Sequence, residues 1–393
     1  MAPKPFVLNI PDAAIADLKT RLALTRLPDA APGDPWAYGS SVDYVRDLIA
    51  YWKDVFDWRK QEAALNAFSQ FKVPLHDIDV HYLHVNGVGP NPYPLLLMHG
   101  WPGSVFEFLD IIPRLTDPAR FGGDPRDAFT VIAPSLPGYG LSFRPGQRRF
   151  PLQDMAACLH DLMTGTLGFE KFAVQGGDWG AGTASLIGQK YPSSVCGIHL
   201  NLLFAPRDQK AGEGAAEETR YAEKLAHWLR EETGYQQIQG TKPQTLAFAL
   251  TDSPGGLAAW MVEKFRSWSD CDGVPEKAID RDRMLANIAL YWFTGAARQG
   301  ADGLCRFPER NHRTAPLCRR ENLHRHSTLD GDEEGRPFRG DGAAGGPGRR
   351  DSTLLPAPSV TCADVRSKAA PCPDRPFPSP AGRPGERRCA RDI

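Results

Sequence analysis

The chain has 393 residues, a formal net charge of −1 and 41% hydrophobic residues, enough apolar material for a large globular core. It has no apolar run of about 18 residues and no signal-peptide pattern at its start, so we expect a cytoplasmic protein without a membrane span. The eight cysteines include no C-x-x-C pair, and we expect neither a bound metal nor a cofactor.

Residues 1–75 are predicted to form a helical N-terminal region. An amphipathic helix follows Asp12, which can cap it, and a second helical pattern runs over residues 42–71 with a bend near Trp58. The aromatic residues of this region, Trp52 among them, lie on the apolar stripe. We therefore expect them to pack against the main domain.

Residues 76–204 alternate between strand and helix patterns, which predicts a mostly parallel α/β sheet covered on both faces. Alternation from His76 places Ile78, Val80 and Tyr82 on one face and Asp79 and His81 on the other. The further predicted elements are strands at Leu95–Met98, Phe129–Pro134, Phe172–Val174 and Val195–Leu202, and a helix at Leu152–Leu167.

The most informative stretch is FAVQGGDWGAG at 172–182, where a short apolar strand runs into the pattern G-x-D-x-G. This pattern is the nucleophile elbow of an α/β-hydrolase with Asp178 in the place more often held by serine. Side chains at Gly176 or Gly180 would collide with so sharp a strand-to-helix turn. The helix that starts behind Asp178 adds free N–H groups and a positive dipole.

A second motif, HGWPGS at 99–104, directly follows an apolar strand, where this fold supplies an N–H of the oxyanion hole. We assign the oxyanion hole to the backbone N–H groups of Trp101 and Trp179. Pro102 has no N–H and stiffens the turn. The position of His99 at the strand end favours a structural hydrogen bond over a catalytic role.

The remaining sequence divides into a predicted helical cap at 205–295 and a tail at 296–393. All nine tryptophans and all ten tyrosines precede residue 296, whereas the tail is rich in arginine, proline and glycine. Such a segment cannot bury enough apolar surface to offset its chain entropy. We expect the tail to be disordered and the last strands of the sheet to be missing.

The motifs together resemble those of the microsomal-type epoxide hydrolases, a group that includes the juvenile hormone epoxide hydrolases. The resemblance covers about residues 5–295. Besides the helical N-terminal region, it rests on HGWPGS at 99–104, GGDWG at 176–180, GYQQIQGTKPQT at 234–245, LTDSPGGLAAWMVEKF at 250–265 and NIALYWFTG at 287–295.

This resemblance implies that a small-molecule epoxide is hydrolysed in two steps through a covalent ester. Asp178 would be the nucleophile, and Tyr235, which matches the first lid tyrosine of the family, would donate a hydrogen bond to the epoxide oxygen. The chemistry agrees, because a carboxylate attacks without a base and a tyrosine can protonate a basic alkoxide. The resemblance also implies detoxification or catabolism of aromatic hydrocarbons.

The chain departs from the family pattern beyond Gly295. The second lid tyrosine, the late acid and the histidine of a GGHF-like loop have no counterpart, and the tail's His312, His324 and His326 lie in arginine-rich sequence. A shifted reading frame explains this change better than a genuine extension. We therefore expect an epoxide hydrolase impaired by the loss of its base and acid.

Three other functions stay open at this point. A haloalkane dehalogenase-like hydrolase shares the Asp-Trp elbow, but the N-terminal region and Tyr235 argue against it. The chain could also be an inactive remnant of an enzyme. Nucleic-acid binding by the tail has weak support, because the tail contains 13 acidic residues and lacks interleaved aromatic residues.

Overall fold

The computed structural model describes residues 2–203 and 216–296. Within them, one sheet has the strand order β1-β2-β3-β5-β4-β6-β7. The strands are β1 (Lys4–Phe6), β2 (Gln70–Leu75), β3 (Ile78–Val85), β4 (Tyr93–Met98), β5 (Phe129–Pro134), β6 (Phe172–Gly176) and β7 (Val195–Leu200). The pairings among β5, β4, β6 and β7 are parallel, and the three pairings from β1 to β5 are antiparallel. The sheet is thus mixed, where the sequence analysis predicts a mostly parallel one.

Helices precede, connect and follow the parallel strands. They are α1 (Asp12–Ala23), α2 (Val42–Asp54), α3 (Trp58–Asn66), α4 (Ile112–Thr116), α5 (Leu152–Asp161), α6 (Trp179–Lys190), α7 (Ala216–Glu231), α8 (Gly234–Thr241), α9 (Pro243–Asp252), α10 (Pro254–Trp268) and α11 (Arg281–Thr294). The predicted helix at 152–167 is α5 followed by a π-helical turn at Leu162–Thr166. The parallel strands of the sheet are joined by α4, α5 and α6, as expected for an α/β fold.

The N-terminal region contributes strands as well as helices, which the sequence analysis misses. The helix predicted over 42–71 is wrong at its end, because α3 stops at Asn66 and Phe71 lies in β2. A hairpin joins β2 to β3 through His76 and Asp77, both with positive φ. Such turns usually carry Asn-Gly or Asp-Gly, so His-Asp gives no signal in the sequence. On β3 itself, His81 lies on the face opposite Ile78 and Val80, as predicted, and is fully buried.

The packing of the N-terminal aromatic residues against the main domain is confirmed. Trp52 and Trp58 are buried, and the Trp58 ring packs edge-on against Phe106 and Phe293 at centroid distances of 6.3 and 4.8 Å. The first of these partners follows β4 and the second lies in α11. Trp58 therefore ties the N-terminal helices to α11 and to the turn that directly follows the HGWPGS motif.

Between residues 216 and 294, the region predicted as a cap consists of helices α7 to α11 and their connections. The helical pattern at 242–268 divides into α9 and α10, because Ser253 caps α10 by accepting a hydrogen bond from the Gly256 N–H at 2.9 Å. Pro254 occupies the first position of α10, where its missing N–H costs nothing. The Ser-Pro pair is the sequence signal for this break.

Candidate active site

The elbow, residues 176–180, turns the chain sharply from β6 into α6. Asp178 has φ 49° and ψ −118°, outside the regions that residues other than glycine normally occupy. Strain of this kind persists where the surrounding structure holds a residue in place for a function. It places Asp178 directly after the carboxyl end of β6, the edge at which parallel sheets bind their ligands.

The glycines of the elbow are required by close packing, as the sequence predicts. A Cβ on Gly176 would lie 2.2 Å from the carbonyl atoms of Gly180, and one on Gly180 would lie 2.3 Å from the carbonyl oxygen of Met98. A Cβ on Gly100 would lie 2.3 Å from the Cβ of Asp178. These glycines allow the ends of β4 and β6 to approach the nucleophile.

We expect the change Gly180→Ala to lower the free energy of unfolding by about 3 kcal/mol, the upper end of the usual overpacking range. The added methyl group would meet backbone atoms of Met98, which cannot rotate away as a side chain can. Chemical denaturation measures the effect. Gly165→Ala is the matched control, because no atom lies within 4 Å of its added Cβ. Equal stability of the two variants would contradict the predicted collision.

The loop at 99–104, hereafter the HGWPGS loop, delivers a backbone N–H to Asp178. The Trp101 N–H donates to Oδ1 of Asp178 at 2.8 Å, and the Trp179 N–H also hydrogen-bonds this carboxylate. The two N–H groups that the sequence analysis assigns to the oxyanion hole therefore converge on one carboxylate. Because they are backbone groups at the ends of two parallel strands, their geometry is fixed by the sheet.

His99 makes the structural hydrogen bonds that its position at the strand end predicts. The residue is buried, its Nδ1 lies 2.9 Å from the Gly100 carbonyl oxygen, and the Leu136 N–H donates to its Nε2 at 3.1 Å. Burial lowers the pKa of His99 to about 4, so the ring is neutral near pH 7. Both ring nitrogens are thus used in holding the loop.

Helix α11 holds the outer side of the HGWPGS loop. The Asn287 amide nitrogen donates to the Pro102 carbonyl oxygen at 2.6 Å, and the Tyr291 hydroxyl donates to the Gly103 carbonyl oxygen at 2.8 Å. Asn287 and Tyr291 are four residues apart and therefore lie on one face of α11. Both residues belong to the NIALYWFTG motif at 287–295, but our site prediction does not include them.

The pKa of the Asp178 carboxyl is raised to about 6, chiefly because partial burial disfavours its charged form. The hydrogen bonds from the Trp101 and Trp179 N–H groups act in the opposite direction and favour the carboxylate. Asp178 is therefore ionised at neutral pH, but it is a stronger base than an ordinary aspartate. A half-desolvated carboxylate of this kind is suited to attack on carbon.

A second carboxyl group, that of Glu107, lies beside the nucleophile and is missing from the sequence prediction. It accepts a hydrogen bond from the Ser104 N–H, while Ser104 Oγ accepts one from Phe106, so the pair forms a capping box. Crowding by protein atoms and repulsion by Asp178 both raise the pKa of Glu107. The residue keeps considerable accessible surface, so water offsets part of this desolvation.

Tyr235, the predicted proton donor, lies against the same loop. Its ring stacks on Trp101 with a centroid distance of 4.9 Å and an interplanar angle of 10°, and Trp268 packs at an angle to both rings. The Gln236 amide nitrogen donates to the Tyr235 hydroxyl oxygen at 3.0 Å, which leaves the hydroxyl proton free to be donated elsewhere. Burial, together with the nearby charge of Asp178, raises the pKa of Tyr235.

The chain matches two family models and several named proteins. The model described as "Epoxide hydrolase N terminus" matches residues 3–108, and the one described as "alpha/beta hydrolase fold" matches residues 93–239. Epoxide hydrolase 1 of Oryctolagus cuniculus is 38% identical over 75% of this chain and 70% of its own length. A Stigmatella aurantiaca (strain DW4/3-1) protein with a provisional epoxide hydrolase name is 42% identical over 76% of this chain and 68% of its own length. The chain belongs to the epoxide hydrolase family.

A solved structure agrees with this membership. The epoxide hydrolase of Aspergillus niger superposes with a TM-score of 0.67 at 29% identity, covering 77% of this chain and 78% of the other. The predicted α/β-hydrolase fold is thereby confirmed for this family member. Membership also decides between the two enzyme classes left open by the sequence, in favour of the epoxide hydrolases over the haloalkane dehalogenases.

Residues 2–203 and 216–296 contain neither a helix of membrane-spanning character nor a cluster of metal-ligating side chains. No helix in these ranges is long and apolar enough to cross a membrane. No group of three or more His, Cys, Asp or Glu side chains in the same ranges is arranged to hold a metal ion. The predictions for the tail, including His312, His324 and His326, fall outside the described residues.

Proposed function

We propose that this family member opens a small-molecule epoxide with Asp178 as the nucleophile and Tyr235 as the proton donor. The observation that carries this proposal is the shared loop residue Trp101, whose N–H binds the Asp178 carboxylate while its ring stacks on Tyr235. Attacking group and proton donor are therefore held by one rigid element. Catalysis by positioning requires such a fixed relation.

In the first step, a carboxylate oxygen of Asp178 attacks an epoxide ring carbon and forms an ester bond. The carbon–oxygen bond of the ring breaks, and its electron pair goes to the departing oxygen. That oxygen takes the hydroxyl proton of Tyr235, whose electron pair stays on the tyrosine as a phenolate. A leaving alkoxide is far more basic than a phenolate, so the transfer is favourable.

In the second step, water attacks the ester carbonyl carbon of Asp178. The N–H groups of Trp101 and Trp179 would stabilise the oxyanion of that tetrahedral intermediate. The water also needs a general base, and among the described residues His99 is unsuited to this role because both its ring nitrogens are engaged. We infer that ester hydrolysis is the impaired step and that the other proposed roles are intact.

Intact-mass spectrometry after mixing with styrene oxide tests this function. One added epoxide mass per chain should build up on Asp178, because a positioned general base is typically worth about 10²–10⁴ in rate and its absence slows ester hydrolysis. Peptide mapping locates the adduct, and diol release is followed in parallel. Steady multiple turnover would contradict the impairment, and the tail histidines would then be examined first. The absence of both adduct and diol would contradict the activity and favour an inactive remnant.

We expect the rate of adduct formation to rise with pH through about 6 and to level off above it. Attack requires the carboxylate, and the Asp178 pKa is raised to about 6, so the ionised fraction falls as the pH drops below that value. Stopped-flow mixing with styrene oxide between pH 4.5 and 8 measures the profile. A midpoint near 4, the ordinary aspartate value, would contradict the desolvated site.

The physiological setting is also part of the proposal. We propose a cytoplasmic enzyme without a metal or cofactor that acts on epoxides in detoxification or in the catabolism of aromatic hydrocarbons. The support is the apolar and aromatic lining that Trp101, Tyr235 and Trp268 give the site, which suits an aryl-substituted epoxide. Comparing adduct formation from styrene oxide with that from a short aliphatic epoxide tests this preference.

A further inference from the structure

A buried lysine of α10 lies beneath the candidate proton donor. Lys264 has 6% of its surface exposed, and its Nζ lies 5.2 Å from the Tyr235 ring centroid and 5.4 Å from that of Trp268. Lys264 and Trp268 are four residues apart on one face of α10, so both reach the same side of Tyr235. The ammonium group, Tyr235, Trp101 and Trp268 form one cluster, which we call the tyrosine box.

Two carboxylates hold the ammonium group in this place. Nζ of Lys264 lies 3.1 Å from Oε2 of Glu232 and 2.7 Å from Oε2 of Glu263. The same Glu232 oxygen accepts hydrogen bonds from Ser267 Oγ at 3.0 Å and from Trp268 Nε1 at 3.3 Å. Glu232 lies three residues before Tyr235, so this network also fixes the segment that carries the tyrosine.

Stability alone is a weak reason for this arrangement. A buried ion pair seldom stabilises a protein more than packed apolar side chains of similar volume would. The cation does, however, lie over the ring face of a residue that acquires negative charge in the proposed reaction. Asp178 and Glu232 oppose that charge, since both raise the pKa of Tyr235. The positive charge of Lys264 over the ring would offset them.

We infer that Lys264 is a positioning residue for epoxide opening, a role that rests on the proposed function of Tyr235. Its ammonium group orients the Tyr235 ring and stabilises the phenolate that remains when the hydroxyl proton passes to the leaving oxygen. The electron pair of the broken O–H bond spreads over the ring that the cation faces. Water returns the proton to Tyr235 before the next ring opening.

The test compares two electrophiles that alkylate Asp178 in single-turnover mixing of the full chain. Styrene oxide needs the proton of Tyr235, whereas benzyl bromide releases bromide without a proton. The change Lys264→Met should slow adduct formation from styrene oxide about tenfold, in line with a desolvated cation–π contact. Formation from benzyl bromide at Asp178 should be unchanged. Lys277→Met, on an exposed lysine paired with Asp272, is the matched control.

Two further variants distinguish electrostatics from loss of shape. Lys264→Arg keeps the positive charge. Its rate of adduct formation from styrene oxide should therefore stay within about threefold of the wild-type rate. Glu232→Gln removes a negative charge near Tyr235, keeps an amide oxygen that can accept from Ser267 and Trp268, and leaves Lys264 paired with Glu263, so it should slow the reaction less than Lys264→Met. If the network only supported the structure, Lys264→Met and Glu232→Gln would both slow adduct formation, and they would do so with both electrophiles.

Each outcome bears on the inference. It is overturned if Lys264→Met reacts with styrene oxide at the wild-type rate, or if the two electrophiles are slowed equally. It is also overturned if Glu232→Gln slows the reaction as much as Lys264→Met. If the wild-type chain forms no adduct with styrene oxide but does so with benzyl bromide, the role of Tyr235 fails first and the inference fails with it.

Discussion

Replacing Asp178 with alanine should abolish covalent adduct formation from every epoxide, leaving no added mass by intact-mass spectrometry. The proposed chemistry begins with a bond between this carboxylate and carbon, and no other carboxylate accepts the Trp101 N–H within the described part of the chain. Glu107 lies near the nucleophile, but its side chain accepts a hydrogen bond from the Ser104 N–H and is held in the capping box. We therefore expect no replacement of the lost group.

The control for this variant is Asp79→Ala, which removes an exposed carboxylate of β3 and should leave adduct formation unchanged. Near-ultraviolet circular dichroism checks that the site tryptophans keep their packing. Adduct formed by Asp178→Ala at the wild-type rate would mean that another side chain is alkylated. Peptide mapping would then identify that side chain, and the assignment of the nucleophile would be wrong.

The elbow and the HGWPGS loop could be predicted from the sequence because each is a local device with an explicit steric reason. Gly176 and Gly180 are four residues apart, and in the structure an added Cβ at either position would collide with backbone atoms, as the sequence predicts. The convergence of the Trp101 and Trp179 N–H groups follows from a general property of the fold, in which neighbouring parallel strands end at one edge. Short sequence spacing and a known sheet edge were enough here.

The surroundings of these motifs could not be predicted, because they depend on contacts between distant parts of the chain. Asn287 bonds Pro102 across 185 sequence positions, and Lys264 reaches Glu232 across 32. Nothing in the local pattern of α10 or α11 states which face meets which loop. The polar residues read as ordinary members of amphipathic helices until the packing brings them to the site.

The same limit explains the errors in the fold. The β2–β3 hairpin depends on antiparallel pairing through a His-Asp turn, and the local sequence before it continues a helical pattern. Tertiary pairing therefore overrides the helical pattern at residues 70 and 71. The sheet gains antiparallel strands in this way without any change at the edge that carries Asp178.

Replacing Tyr235 with phenylalanine should slow adduct formation from styrene oxide by about 10²–10⁴, the usual contribution of a positioned general acid. Phenylalanine keeps a ring that can stack on Trp101 and lie over Lys264, so the tyrosine box should stay packed. The variant removes the hydroxyl proton and leaves Asp178, Trp101 and Trp179 in place. The leaving oxygen would then have to depart as an alkoxide or take a proton from water.

Benzyl bromide separates this effect from damage to the nucleophile, because bromide leaves without a proton. Its reaction with Asp178 should keep the wild-type rate in Tyr235→Phe. The matched control is Tyr221→Phe, which removes the hydroxyl of an exposed tyrosine in α7. If Tyr235→Phe opens styrene oxide as fast as the wild type, another group donates the proton, and Glu107, whose pKa is raised by desolvation and by Asp178, is the first residue to replace. If both electrophiles react slowly, the hydroxyl instead supports the geometry of the HGWPGS loop through the Trp101 stack.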